Sequence, residues 1–106
     1  MQATIVSMIV ATGMMMAGHA MAVDMPEVAK KYGCSNCHMI EKKLVGPGWQ
    51  DVAKKYKGDA GATAHLATKI VKGGSGVWGM IPMPDNPKIS HSEVSELITF
   101  VLGLAK

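Results

Sequence analysis

The chain has 106 residues, room for one domain. Its formal charge of +3 comes from 11 lysines, with no arginine, against 8 acidic residues, and the lysines are spread along the sequence, which argues against a nucleic-acid binder. A domain this small buries little core, so a metal, disulfides or a cofactor is expected to staple it.

Residues 1–23 contain no Asp, Glu, Lys or Arg. The apolar stretch from Ile5 to Ala17, with the cluster Met14-Met15-Met16, leads to Ala20-Met21-Ala22. An apolar core followed by small-x-small reads as a signal peptide over residues 1–22, cleaved after Ala22. The stretch is short for a membrane span of about 20 residues, which disfavours a retained anchor. Residues 23–106 then form one exported domain in the periplasm.

That domain reads as all-α, with about four helices. Asp24 and Glu27 are spaced for a capping box, with Pro26 in the first turn of a helix that runs through Val28 and Lys31 to Gly33. Cys34-Ser35-Asn36-Cys37-His38 follows directly. Leu44-Val45-Gly46-Pro47-Gly48 breaks any helix. Trp49 to Tyr56 is predicted helical, with Val52, Ala53 and Tyr56 on one side. Ala62 to Val71 carries Leu66, Ala67, Ile70 and Val71 at helical spacing and ends at Gly73-Gly74. Residues 72–88 show no period. They hold glycines and prolines among large apolar residues (Val77, Trp78, Met80, Ile81, Met83), a composition that suits a functional loop better than a disordered one. Ser90 and Glu93 form a second capping box, with Ile89 and Val94 placed as a hydrophobic staple. Val94, Leu97, Ile98, Val101 and Leu102 make the apolar stripe of the last helix.

The chemistry lies in Cys34–His38. Two thiols separated by two residues on a helical turn can reach the two vinyl groups on one edge of a porphyrin. A histidine immediately after the second thiol then ligates the iron. Cys34, Cys37 and His38 therefore read as covalent attachment of one haem c. A thioredoxin-like redox pair would need a βαβ context that the sequence lacks. A zinc site would need a fourth ligand, with His65 or His91 as candidates.

The second axial position decides between electron transfer and ligand binding. Met25, Met39, Met80, Met83, His65 and His91 are the candidates. Met39 adjoins His38 and cannot wrap round the ring, and Met25 lies near the first helix start. His65 and His91 read as surface residues. Met83, in Ile81-Pro82-Met83-Pro84, has prolines on both sides that limit backbone freedom and present its thioether in a fixed direction. It is the favoured ligand, with Met80 as the alternate. The Pro47 carbonyl is placed to accept a hydrogen bond from the non-ligating nitrogen of His38. Trp78 and Lys69 are candidate partners of the haem propionates. Lys30, Lys31, Lys42 and Lys43 flank the attachment motif and are expected to ring the haem edge and steer acidic partners.

From Pro26 to the C-terminus the chain resembles the small bacterial class I cytochromes c of the c-551/c-552 type. The matching stretches are Cys34–His38, Val45-Gly46-Pro47, Asp51-Val52-Ala53-Lys54-Lys55-Tyr56 and Gly76-Val77-Trp78-Gly79-Met80-Ile81-Pro82-Met83-Pro84. The resemblance implies four helices around one covalent haem with His38 and Met83 as axial iron ligands. It implies that Pro47 bonds the proximal histidine, that Trp78 and Lys69 meet the propionates, and that Asn86 helps orient the methionine loop. It implies a monomeric periplasmic carrier, not an enzyme, that docks transiently through its haem edge. The family's redox partners are cytochrome-cd nitrite reductase, terminal oxidases, peroxidases and quinol-oxidising complexes. Met80, Asp85 and Phe100 depart from residues frequent in the family, and Asp85 is expected to lower the potential slightly by its charge. The rival reading is a haem-based gas sensor or peroxidase-like protein whose methionine bond to iron breaks.

Purified holoprotein is expected to have the intact mass of residues 23–106 plus one haem. A mass that includes residues 1–22 would instead identify a retained anchor.

Overall fold

The computed structural model describes residues 23–105. The expected signal peptide over residues 1–22 lies outside them. Four α-helices follow in order: α1 (Glu27–Lys31), α2 (Trp49–Lys55), α3 (Ala62–Lys72) and α4 (His91–Leu102). A single 3-10 turn, Cys34–Asn36, separates α1 from the long loop before α2. Among the described residues the only β-pairing is two isolated bridges, His38 with Lys43 and Gly74 with Met83. The all-α expectation therefore holds, and both bridges fall in the two loops that the helices leave open.

The helix boundaries follow local chemistry, with one correction. The capping box expected at Asp24 does not form. Pro26 is the N-cap of α1, in extended conformation, and its carbonyl accepts from the backbone of Ala29 and Lys30. Asp24 stands two residues too early to reach the first turn. The box at Ser90 does form: the Ser90 hydroxyl accepts from Glu93 N–H, and the Glu93 carboxylate accepts from Ser90 N–H. Gly48 caps α2 without a side chain, because the first two N–H groups of that helix are taken by the Met39 and Ile40 carbonyls. The loop that carries the cysteine motif thus caps the next helix directly.

The core is where α1 and α2 meet α4. Val28 and Ala29 of α1, Trp49, Val52, Ala53 and Tyr56 at α2, Ala62 of α3, and Leu97, Val101 and Leu104 form one buried cluster. Trp49 is its hub. Its ring lies edge-on to Phe100 with centroids 5.8 Å apart and tilted to His38 at 5.6 Å. Trp49 and Tyr56 are thus core residues, with Phe100 packed against them. α3 packs on α4 but buries only Ala62 fully. Its Leu66 and Ile70 stay half-covered and face the space between helix and loop.

Tyr32 does more than pack. Its hydroxyl donates to Glu93 Oε1 at 2.7 Å, and the Lys31 ammonium meets Oε2 at 2.7 Å. One carboxylate therefore closes its own helix cap and clamps the end of α1 to the start of α4. The ammonium of Lys31, then the Tyr32 hydroxyl, then Ser90 N–H hold the Glu93 carboxyl down at about 2, against an ordinary 4.5. Because the folded state lowers this pKa, its stabilisation is present above the ordinary value and is lost as pH falls from 4.5 towards 2. The pair is solvent-accessible, so salt screens it. Glu93→Gln is expected to lower the thermal midpoint at neutral pH, and the gap to the wild type should narrow through that acid window. Parallel melts of the two proteins across pH check both the sign and the window.

Candidate functional site

Cys34, Cys37 and His38 sit on and just after the 3-10 turn, which α1 delivers through the left-handed Gly33. The His38 and Cys37 N–H groups both bond to the Cys34 carbonyl, so the two cysteines and the histidine share one tight turn. Both thiols are half-buried and neither is in a disulfide. Burial pushes the Cys34 thiol up, which keeps it neutral.

The returning loop fixes the imidazole. His38 Nδ1 lies 2.8 Å from the Pro47 carbonyl. A carbonyl only accepts, so Nδ1 carries a proton, and in the neutral ring that ligates a metal Nε2 keeps its lone pair. Gly46 N–H also bonds to the Cys37 carbonyl at 2.7 Å. Gly46 lies so close to the ring that a methyl group there would stand 2.7 Å from His38 Cε1. Only glycine lets the loop approach this closely. The need for Pro47 was readable from the sequence; the need for Gly46 was visible only as part of a helix-breaking run.

Across from the imidazole stands the loop of residues 72–88. Gly74 and Met83 pair through both backbone bonds, at 3.0 and 2.8 Å. The pairing needs a glycine at 73, where φ is 70° and a Cβ would collide with the Met83 carbonyl oxygen. Asn86 anchors the far end. Its N–H bonds to the Val71 carbonyl and its side-chain amide to the Ile70 carbonyl at 2.9 Å. Asn86 thus lies behind the wall, tying the methionine loop to the end of α3.

Between the two loops is a cleft of about 240 Å³. Cys34, Cys37, His38, Pro47, Lys69, Trp78 and Met83 all line it. Of the expected site residues only Asn86 stands outside. Leu66 and Ile70 of α3, with Leu97, Ile98 and Val101 of α4, supply an apolar back wall. The α4 stripe therefore serves both the core and the cleft, which its spacing alone did not separate. Met80 also lines the cleft but is 91% exposed, whereas Met83 is half-buried. His65 lines the rim, exposed, with its ring 5.4 Å from that of Tyr56. Met39 is 43% exposed and outside the cleft lining, as are Met25 and His91.

The expected lysine ring needs correction. Of Lys30, Lys31, Lys42 and Lys43, only Lys43 lines the cleft. Lys30 pairs with Glu27 at 3.5 Å, and Lys31 is committed to Glu93. Lys30 and Lys31 lie on α1, and Lys42 lies in the loop after the motif but outside the cleft lining. The other cations near the opening come from elsewhere in the chain. Lys69 is half-buried with its ammonium against Gly74, and Lys55 lies 5.9 Å from the Trp78 ring centroid.

This donor set fits a covalent haem. Two free thiols on one turn, an imidazole held through Nδ1, a thioether on the facing wall and an apolar lining are what haem c requires. A zinc site is not supported, because no group of three or more His, Cys, Asp or Glu able to hold a metal ion occurs among the described residues.

Residues 26–105 match the cytochrome c protein family. Cytochrome c-551 of Pseudomonas aeruginosa is 47% identical over 95 residues, which cover 90% of this chain and 90% of that protein. Cytochrome c-552 of Hydrogenobacter thermophilus is 46% identical over 78 residues, 74% of this chain and 79% of that protein. The crystal structure of Nitrosomonas europaea cytochrome c552 superposes with a TM-score of 0.70 at 45% identity, covering 74% of this chain and 96% of that one.

Gly46→Ala is expected to push the His38 ring away and to weaken its bond to Pro47. Faster hydrogen exchange of the His38 Nδ1 proton in the holoprotein, followed by NMR, measures that loss.

Proposed function

Because the chain belongs to the cytochrome c family, we propose that it is a monohaem periplasmic electron carrier with His38 and Met83 as the axial iron ligands. Relatives of the c-551 and c-552 type support one covalent haem c and a carrier role at the family level. The observation that carries the finer reading is the convergence of Cys34, Cys37, His38 and Met83 on one apolar cleft. The haem supplies a one-electron couple between iron(II) and iron(III).

The chain's own residues set the conditions for that couple. Cys34 and Cys37 hold the group as thioethers. His38 presents Nε2, and the Pro47 carbonyl, by holding the Nδ1 proton, orients the ring and raises its donor strength. Met83 offers a soft thioether that favours iron(II) and so keeps the potential high. Leu66, Ile70, Leu97, Ile98 and Val101 exclude water from the interior face. The Trp78 indole and the Lys69 ammonium, both at the cleft, are the groups suited to haem carboxylates. Lys43 at the cleft and Lys55 beside Trp78 add positive charge near the opening, which favours acidic docking surfaces on redox proteins.

Met83→His is expected to lower the reduction potential by on the order of hundreds of millivolts, within the range over which axial ligands act. Met83→Ala should open the iron to carbon monoxide. Met80→Leu should leave carbon monoxide binding as it is, in keeping with its 91% exposure. Potentiometry and carbon monoxide titration of the three variants decide the ligand. If Met80→Leu opens the iron and Met83→Ala does not, the ligand is Met80. The weak far-red methionine–iron charge-transfer band of the oxidised protein tests the carrier reading itself. High-spin bands with rapid carbon monoxide binding would point to a sensor or peroxidase-like protein instead.

A further inference from the structure

Four methionines lie between residues 23 and 105, and they are covered to very different extents. Met25 is half-buried against the core, and Met83 is half-buried in the cleft wall. Met39 is 43% exposed and Met80 is 91% exposed. The backbone accounts for the contrast within the loop. Met83 is held at both its N–H and its carbonyl by Gly74. A separate turn, closed by Gly76 N–H on the Gly79 carbonyl, ends one residue before Met80. Met80 falls between these two fixed pairs, next to Ile81, itself 66% exposed. Its side chain stands out at the rim only three residues from the sulfur on which the site depends.

We propose that Met80 is an oxidation site, a thioether that takes an oxygen atom from a hydroperoxide ahead of Met83 and so spares the ligand sulfur. The step is a two-electron oxygen transfer. The peroxide O–O bond breaks, an S–O bond forms on a lone pair of the Met80 sulfur, and the peroxide leaves as water or an alcohol. Two differences separate the sulfurs. Oxidation follows solvent access, and Met80 has far more of it. The Met83 lone pair is engaged with iron, a point on which this inference rests as part of the proposed function. The products also differ. A sulfoxide is polar, so it is tolerated on a side chain already in water, whereas at Met83 it would place a polar group in the cleft wall and remove the soft donor.

The experiment uses holoprotein whose N-terminus has been fixed by intact mass. It is treated with limiting hydrogen peroxide, and oxygen uptake at Met25, Met39, Met80 and Met83 is read by peptide mass. The far-red band is recorded on the same samples. Met80 is expected to gain oxygen first, ahead of Met39, with the band intact. In Met80→Leu the same dose should oxidise Met83 by roughly two- to threefold more, with a matching fall in the band. Oxidation of Met39 or Met83 ahead of Met80 overturns the site. Equal band loss in Met80→Leu and wild type overturns the protective role. A band missing before any peroxide is added overturns the Met83 ligand assignment and the protection with it, while the order of oxygen uptake still decides whether Met80 is the site.

Discussion

The hydrogen bond between His38 Nδ1 and the Pro47 carbonyl is the constraint through which the two halves of the molecule are joined. Pro47 precedes Gly48, the N-cap of α2, so the bond couples the cysteine turn to the start of that helix. The Met39 and Ile40 carbonyls reinforce the link by taking the first N–H groups of α2. Trp49 then packs against the His38 ring on one side and Phe100 of α4 on the other. The orientation of one imidazole is thereby transmitted through an indole to the C-terminal helix. The ring cannot rotate without breaking the bond, displacing Gly46 and disturbing the hub of the core.

The opposite wall is built on a different principle. The loop of residues 72–88 has no regular structure, yet it is tied down at defined points: Gly74 to Met83, and Asn86 to the last turn of α3. A few backbone bonds, between Gly74 and Met83, Gly76 and Gly79, and Asn86 and Val71, hold it in place of a ladder. Between the walls, Leu66, Ile70, Leu97, Ile98 and Val101 present apolar side chains to the cleft. A chain of this size completes its core with the cofactor, which replaces hydrophobic area that additional helices would otherwise supply.

Local features were the ones legible in the sequence. Cys34, Cys37 and His38 share a turn because their spacing leaves no alternative, and Ser90 with Glu93 closes a cap within one turn of helix. The four helices were readable from periodicity and from their breakers and caps, within a residue or so at their ends except at the start of α1, which lies two residues later than expected. What failed depended on distant partners. Asp24 has the right spacing for a cap, but the helix starts two residues later, with Pro26 as its N-cap. Lys30 and Lys31 adjoin the motif in sequence, yet carboxylates on α1 and α4 claim them. Gly46 and Gly73 read as helix breakers, and their close approaches to His38 and Met83 emerge only when the loops fold back. The cleft-lining role of Leu97, Ile98 and Val101 was hidden because one apolar stripe on α4 faces two environments.

The Glu93 clamp joins residues 61 and 62 positions apart, so it brings the two ends of the domain together. Closing a loop of that length has a large entropic cost, though one that grows only logarithmically with further length. The docking of α1 on α4 is therefore a non-local contact, of the kind that slows folding relative to local helix pairing. The cysteine turn leaves α1 directly, so the carboxylate that fixes α1 on α4 also fixes where the attachment turn starts. A single side chain outside the cleft thus ties the position of the attachment motif to the far end of the domain.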